Sequence, residues 1–218
     1  MNTPLLILFL ALTLLHLAAC AGGRQKARLA TKPLLLPALA AFYWCSLPAG
    51  AAAPAVLAAL LFGLLGDVLL MIPRPAAPQG KVDGLLLGGM GAFLLGHVCY
   101  IAAFLDGGAW GRAAWACAAA GAACLAALIL ILRALWAHMG PMRLPGTVYL
   151  LALVSMAFCA LASGLALPLP WRLAGGPLFV ISDYILARSI LLGPKRYTDF
   201  WVMLTYAAAQ LCLLLGFL

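Results

Sequence analysis

The sequence has very little charge, and none of it comes from glutamate. Lysine, arginine, aspartate and glutamate together make up 8% of the 218 residues, and all five acidic residues are aspartates. Apolar residues make up 67%, whereas a soluble domain has about 45–50% apolar and about 25% charged residues. This composition excludes a water-soluble globular domain and indicates an integral membrane protein with little chain outside the bilayer.

Several motifs of soluble enzymes and metal sites are also missing. No Cys-x-x-Cys pair occurs among the seven cysteines, which argues against a zinc knuckle or a disulfide framework. The Gly-x-Ser-x-Gly elbow of serine lipases is absent. Only one of the three histidines, His97, lies deep in an apolar run, so a catalytic zinc held by three histidines is not expected.

Eight apolar segments approach or reach the length of a membrane-spanning helix, which is about 20 residues with a range of about 17–25. They lie near 4–21, 33–48, 53–72, 84–105, 113–134, 147–167, 175–193 and 200–218. The second segment is short and flanked by proline, so we expect a tilted or partly spanning helix there. The linkers are brief and rich in proline, glycine and charge. We predict an all-α fold, with one domain over residues 1–218 that forms a single bundle of about eight transmembrane helices.

The basic residues fall mainly on one side of this predicted bundle. Loops 1–2, 3–4, 5–6 and 7–8, with the adjoining helix ends, hold eleven of them, whereas the opposite side holds Arg112 and Arg172. The eleven are Arg24, Lys26, Arg28, Lys32, Arg74, Lys81, Arg133, Arg143, Arg188, Lys195 and Arg196. Because cytoplasmic loops carry the excess of lysine and arginine, both termini are predicted to lie outside the cytoplasm. Topology thus accounts for the net charge of +8 without nucleic acid, and the short loops and alanine-rich composition favour a bacterial inner membrane.

Two aspartates interrupt long apolar segments. Asp67 lies in "FGLLGDVLLM", near the end of the third segment, and Asp183 lies in "LFVISDYILA", in the middle of the seventh. An aspartate deep in a membrane costs about 2.5–3.5 kcal/mol on insertion scales, and such residues usually face an interior cavity and serve a function. We expect the two carboxyl groups to share one partly wet cavity, where one is kept protonated by burial while the other stays ionised.

Polar residues on other segments are candidates for the same site. His97 and Tyr100 share a face of the fourth helix with Phe93, by i, i+4 and i+7 spacing. Further candidates are Ser182 on the seventh helix, Tyr149 and Ser155 on the sixth, and Tyr206 and Gln210 on the eighth. A metal held by Asp67, Asp183 and His97 is an open alternative, although no metal is expected. On the fourth helix, Gly84, Gly88, Ala92 and Gly96 form a ridge of small residues that predicts close helix packing.

Four motifs in order resemble the YhhN family, the lysoplasmalogenases. They are "GDVLLM", "FLLGHVCY" on the following helix, "GPLFVISDYILA", and "YAAAQ" in the last helix, and the resemblance extends over about residues 30–218, including "TKP" at 31–33. It implies an eight-helix membrane hydrolase that cleaves the vinyl ether bond of a lysoplasmalogen and releases a fatty aldehyde and a glycerophospho-ethanolamine or -choline. By motif match, Asp67 and Asp183 would be the critical carboxylates, and His97, Tyr100 and Ser182 would line the site.

The chemistry of a vinyl ether suits these residues. Hydrolysis needs an acid that protonates the β-carbon and an anion that steadies the resulting oxocarbenium ion and guides water, as in glycosidases. We expect Asp183 to be the acid and Asp67 the base, although the two roles could be exchanged, with His97 positioning water or relaying a proton. No cofactor is expected. Tyr149, Tyr206 and Gln210 are predicted to contact the lysophospholipid, and Lys32, Arg188, Lys195 and Arg196 are candidates to meet its phosphate.

Two other functions use the same features. A proton-coupled transporter of a small solute or lipid also needs aspartate and histidine inside the membrane. The two aspartates lie about half the chain apart, which suggests the internal repeat that many carriers contain. A structural scaffold would explain the glycine ridge but not the aspartates. Oligomeric state and head-group preference stay open.

Overall fold

The computed structural model describes residues 1–48, 54–72, 83–106 and 113–218. Within these ranges the chain forms eight α-helices and one short 3-10 helix, and no strand occurs. The α-helices are α1 (Thr3–Ala21), α2 (Gln25–Ser46), α3 (Pro54–Met71), α4 (Gly84–Asp106), α5 (Ala114–Met139), α6 (Arg143–Ala166), α7 (Pro170–Leu192) and α8 (Thr198–Leu215). The predicted all-α fold class is confirmed.

Six helical stretches in the described ranges are long and apolar enough to cross a membrane. One of them runs from Ala114 to Ala166 and joins α5 to α6 through the 3-10 helix Gly140–Met142. The six do not include α2, whose first turns carry several polar and basic residues. The chain is an integral membrane protein, as its composition indicates, whereas the number of eight crossings stays a prediction.

Several helices begin earlier or end later than the apolar segments suggest. α2 begins at Gln25 rather than at residue 33, so Pro33 and Pro37 lie inside it. α5 continues to Met139, past the end expected near residue 134, and His138 therefore lies in its last turn. Helices extend past the hydrocarbon layer into polar sequence, which a search for apolar residues cannot detect. Residue 53, where the third helix was expected to begin, and Arg74, Lys81 and Arg112 lie outside the described residues.

The helices pack mainly on their neighbours in sequence. α1 packs on α2, α3 on α4, α5 on α6 and α7 on α8, and α6 also contacts α4 and α7. Contacts of α8 with α1 and α2 bring the two ends of the chain together. The interior is filled by fully buried apolar side chains, among them Leu39, Phe42, Leu60, Met156 and Leu213. Many large apolar side chains point outward, as expected for a surface that faces lipid.

Helices α3 and α4 approach each other closely, and this approach depends on glycine. A Cβ atom on Gly66 would lie 2.6 Å from the ring of Phe93 and 3.1 Å from the carbonyl oxygen of Gly89. A Cβ on Gly96 would lie 3.2 Å from the carbonyl oxygen of Ala59. The ridge predicted on α4 is therefore only partly right: Gly96 and Ala92 are buried, whereas Gly84 and Gly88 are exposed and Gly89 takes the contact. Because an α-helix has 3.6 residues per turn, residues spaced four apart drift around the helix and do not all face the same neighbour.

Replacing Gly66 with alanine is expected to destabilise the bundle by about 1–3 kcal/mol, because the added methyl group overlaps the Phe93 ring and nearby backbone. The measurement is the thermal unfolding midpoint of the purified protein in detergent. Gly91→Ala on α4 is the matched control, since a Cβ atom there would face open space, with no neighbouring side chain or helix within 4 Å. Equal midpoints for the two variants would contradict a tight α3–α4 contact at Gly66.

Candidate active site

Both intramembrane aspartates line one polar cavity of about 360 Å³. The cavity lies at the end of the bundle where α1, α3 and α7 end and where α2 and α8 begin. Asp67 reaches it from α3 and Asp183 from α7, as expected from the sequence. Lys32, Ser182 and Tyr206, three of the residues predicted to contact substrate, also line its wall.

Asp67 is held by a lysine and a tyrosine. The Nζ atom of Lys32 lies 2.9 Å from Oδ1 of Asp67, and the hydroxyl of Tyr206 donates to Oδ2 at 3.0 Å. The Asp67 side chain is only 4% exposed and that of Lys32 19%. A buried carboxylate is stable when a cation and hydrogen bonds compensate it, and the two oxygens of Asp67 have such partners.

A second layer of hydrogen bonds fixes Tyr206. Gln210 donates from Nε2 to the Tyr206 hydroxyl at 3.3 Å and accepts from the Tyr100 hydroxyl at 2.6 Å. Tyr100 and Gln210, both predicted to contact substrate, do not line the polar cavity and lie behind Tyr206. Gly63 leaves room for this layer, because a Cβ atom there would lie 3.4 Å from the Tyr206 hydroxyl.

Asp183 has different neighbours. The Tyr149 hydroxyl donates to its Oδ2 atom, and Nε2 of His97 lies 3.2 Å from the Tyr149 oxygen and 3.9 Å from Asp183 Oδ2. While it donates to Asp183, the tyrosine oxygen can accept from His97 in the tautomer that carries its hydrogen on Nε2. No lysine or arginine among the described residues forms an ion pair with Asp183. His97 is 1% exposed and does not line the polar cavity.

An apolar groove meets the polar cavity at Asp183. It has a volume of about 110 Å³ and is walled by α3 to α7, mostly with leucine, isoleucine and methionine side chains. Tyr149 lines this groove, whereas His97, Tyr100 and Gln210 do not. The groove and the cavity share Leu70, Phe93, Asp183, Leu186 and Ile190. Among these shared residues Asp183 alone is ionisable, so its carboxyl group stands where a polar and an apolar compartment join.

Two serines and a histidine complete the comparison with the residues considered from sequence. Ser182 donates to the carbonyl oxygen of Val202 at 3.0 Å, a bond from α7 to α8. His16 lines the cavity and its Nδ1 lies 2.7 Å from the Thr31 hydroxyl, although its position near a helix end gave no signal of this. Ser155 is exposed on α6, away from the site.

The rim of the cavity carries an ion pair that sequence reasoning missed. Arg28 Nη1 lies 2.7 Å from Asp199 Oδ2, and both residues line the cavity. Arg28 and Lys32 have i, i+4 spacing and so share one face of α2. The segment predicted from apolar residues began at residue 33 and therefore did not include them. Arg188, Lys195 and Arg196, the other candidate phosphate ligands, line neither the cavity nor the groove.

The alternative of a metal at Asp67, Asp183 and His97 finds no geometric support. Across the described ranges, no three histidine, cysteine, aspartate or glutamate side chains converge in a way that could hold a metal ion. Instead, the two oxygens of Asp67 contact Lys32 and Tyr206, and one oxygen of Asp183 accepts a hydrogen bond from Tyr149.

Lys32→Met is expected to lower the free energy of unfolding by about 3 kcal/mol, because it leaves the buried Asp67 carboxylate without its cation. Adding Asp67→Asn should restore part of the loss, since the amide needs no counter-ion. The thermal unfolding midpoints of the single and double variants in detergent give the comparison. A double variant less stable than Lys32→Met alone would contradict an ion pair between the two side chains.

The sequence profile of the YhhN family matches residues 27–217. A Mycobacterium bovis protein named "Lysoplasmalogenase" is 34% identical over 168 residues, which cover 73% of this chain and 58% of the relative, and a Mycobacterium tuberculosis protein of that name gives the same values. The human protein "Lysoplasmalogenase TMEM86B" is 30% identical over 188 residues, covering 82% of this chain and 70% of the relative. The chain thus spans somewhat over half the length of the mycobacterial relatives, and no solved structure matches it.

Proposed function

Because the chain belongs to the YhhN family, we propose that it is a membrane-embedded hydrolase that cleaves the vinyl ether bond of lysoplasmalogens. The products would be a fatty aldehyde and a glycerophospho head group. The names of the mycobacterial and human relatives support this activity. The observation that carries the proposal is that two aspartates with unlike partners meet at one cavity, and that one of them also faces an apolar groove.

The unlike partners of the two aspartates support different chemical roles in the proposed reaction. Asp67 pairs with the Lys32 ammonium and is the ionised base. Asp183 receives a neutral phenol on Oδ2, which leaves Oδ1 to carry the acidic proton. An ionised and a protonated carboxyl group in one site are the pair that hydrolysis through an oxocarbenium ion requires. The sequence led to the same proposal, in which Asp183 is the acid and Asp67 the base.

The reaction then balances without an added cofactor. Asp183 donates its proton to the β-carbon of the vinyl ether, and the α-carbon becomes an oxocarbenium ion. Water adds to that carbon while Asp67 takes a proton from the water, and the product is a hemiacetal. The hemiacetal hydroxyl returns a proton to Asp183 as the carbon–oxygen bond to glycerol breaks, and Asp67 gives its proton to the departing glycerol oxygen. Both aspartates end in their starting states, with one water consumed.

The remaining polar residues act through the aspartates. His97 orients Tyr149, which orients Asp183, so we propose a positioning role for His97 rather than direct contact with water. Tyr100 and Gln210 hold Tyr206 against Asp67 in the same manner. A preorganised hydrogen-bond network keeps a reactive group in place without reorganisation during the reaction.

The two compartments suit the two ends of a single-chain lipid. The alkenyl tail would lie in the apolar groove and the glycerophospho group in the polar cavity, which places the ether bond at Asp183. By the distribution of basic residues, the polar end would face the cytoplasm of a bacterial cell with both termini outside. We also propose that the described bundle acts as one domain.

Asp67→Asn and Asp183→Asn are each expected to reduce aldehyde release at least about 10³-fold, because each removes one of the two proton-transfer groups. The measurement is aldehyde production from a lysoplasmalogen by purified protein in detergent. Asp106→Asn, an exposed position at the end of α4, is the control and should keep wild-type activity. Unchanged thermal unfolding midpoints would separate lost chemistry from lost folding.

The competing carrier function predicts a different result. Wild-type protein that releases no aldehyde from any of several vinyl ether lipids, but drives proton-dependent solute flux in vesicles, would overturn the hydrolase proposal.

Ala187→Phe is expected to lower activity on long alkenyl chains relative to short ones, because Ala187 lines the apolar groove and a ring there would fill it. The ratio of kcat/KM for the two chain lengths is measured. Ala126→Phe, at an exposed position on α5, is the matched control. An unchanged ratio in the Ala187 variant would contradict placement of the tail in the groove.

A further inference from the structure

We propose that Arg28 and Asp199 select lipids whose head group carries both a phosphate and an amine. In this arrangement the Arg28 guanidinium binds the phosphate and the Asp199 carboxylate binds the ammonium. The inference rests on the proposed function, because it assumes that a lysophospholipid enters the polar cavity.

The position of the pair relative to Asp67 supports this assignment. Arg28 and Lys32 lie one turn apart on α2, a rise of about 6 Å, and both line the polar cavity. Lys32 contacts Asp67, so Arg28 lies one turn nearer the end of the bundle. A lipid whose ether bond is at the aspartates extends its glycerol in that direction and brings its phosphate towards Arg28.

The charges around the cavity leave few alternatives. The charged side chains of the described residues that line it are Arg28, Lys32, Asp67, Asp183 and Asp199. Lys32 is engaged with Asp67, and Asp183 forms the proposed acid. Arg28 and Asp199 are therefore the two oppositely charged residues on the cavity wall that take no part in the proposed reaction.

The exposure of the two side chains allows them to exchange partners. Arg28 is 34% exposed and Asp199 54%, so the existing ion pair is partly in water and contributes little to stability. A phosphate suits a guanidinium because it accepts two parallel hydrogen bonds. With a zwitterionic head group, both side chains keep a counter-ion after the pair opens. With a phosphate alone, Asp199 loses its partner and faces a second anion, which disfavours binding.

The test compares two substrates with the same alkenyl chain: a vinyl ether glycerophosphoethanolamine and the corresponding glycerophosphate without the amine. The full chain in detergent is expected to favour the amine-bearing lipid by kcat/KM. Asp199→Asn should reduce that preference about fivefold, because it removes the contact with the amine and the repulsion of the free phosphate. Arg28→Gln should lower kcat/KM for both substrates. Asp106→Asn is the control and should leave the ratio of the two values unchanged.

Binding is measured in parallel with the saturated alkyl ether analogues of both lipids, which lack the double bond that is protonated. Their stabilisation of the protein against heat should show the same preference, and the same loss in Asp199→Asn. If Asp199→Asn changes kcat/KM by the same factor for both lipids, and changes thermal stabilisation by both analogues equally, the inference is wrong while the hydrolase function stands. Selective binding without any aldehyde release would instead overturn the hydrolase and leave the selectivity in place.

Discussion

The site depends on how a carboxylate is kept inside a membrane. Asp67 is 3% exposed in a helix of otherwise apolar residues, and it is tolerated because Lys32 and Tyr206 contact its two oxygens. A buried charge without such partners would cost several kcal/mol. The lysine comes from α2, whose first turns are polar and line the cavity at that end of the bundle. On α8, Tyr206 donates to this carboxylate and Gln210 in turn donates to the Tyr206 hydroxyl.

The two aspartates have similar neighbours with one difference, on which their proposed roles depend. Each is contacted by a tyrosine, and each tyrosine is held in turn by another buried polar residue, Gln210 in one case and His97 in the other. The difference between them is the ammonium of Lys32, which only Asp67 has within the described part of the chain. The proposed division into a base and an acid rests on this one added cation, because a nearby opposite charge favours the charged form of a carboxyl group.

Sequence reasoning finds the helices and the aspartates because both leave local signals. Long apolar runs predict α1, α3, α4 and α8 to within a few residues, and a carboxylate inside such a run is conspicuous. Positions that depend on contact between distant helices leave no such signal. His97 and Tyr100 share a face of α4 with i, i+3 spacing, yet one is connected to Asp183 and the other to Asp67. Likewise, Asp199 is an ordinary first-turn acid of α8 until the fold places Arg28 beside it.

The far end of the bundle bears on the choice between a hydrolase and a carrier. There Phe217 packs against Tyr100 and Phe104, and the Arg172 guanidinium lies over the rings of Phe104 and Phe217. Arg172 also donates from Nε to the carbonyl oxygen of Gly216 at 2.8 Å, which ties the start of α7 to the end of α8. A carrier must open its site to both sides of the membrane, whereas a hydrolase needs one entrance for lipid and water. Among the described residues, the polar cavity adjoins one end of the bundle, and aromatic packing fills the core towards the other. This one-sided arrangement is the one expected of the proposed hydrolase, whereas a carrier would have to rearrange the packed end to open its site there.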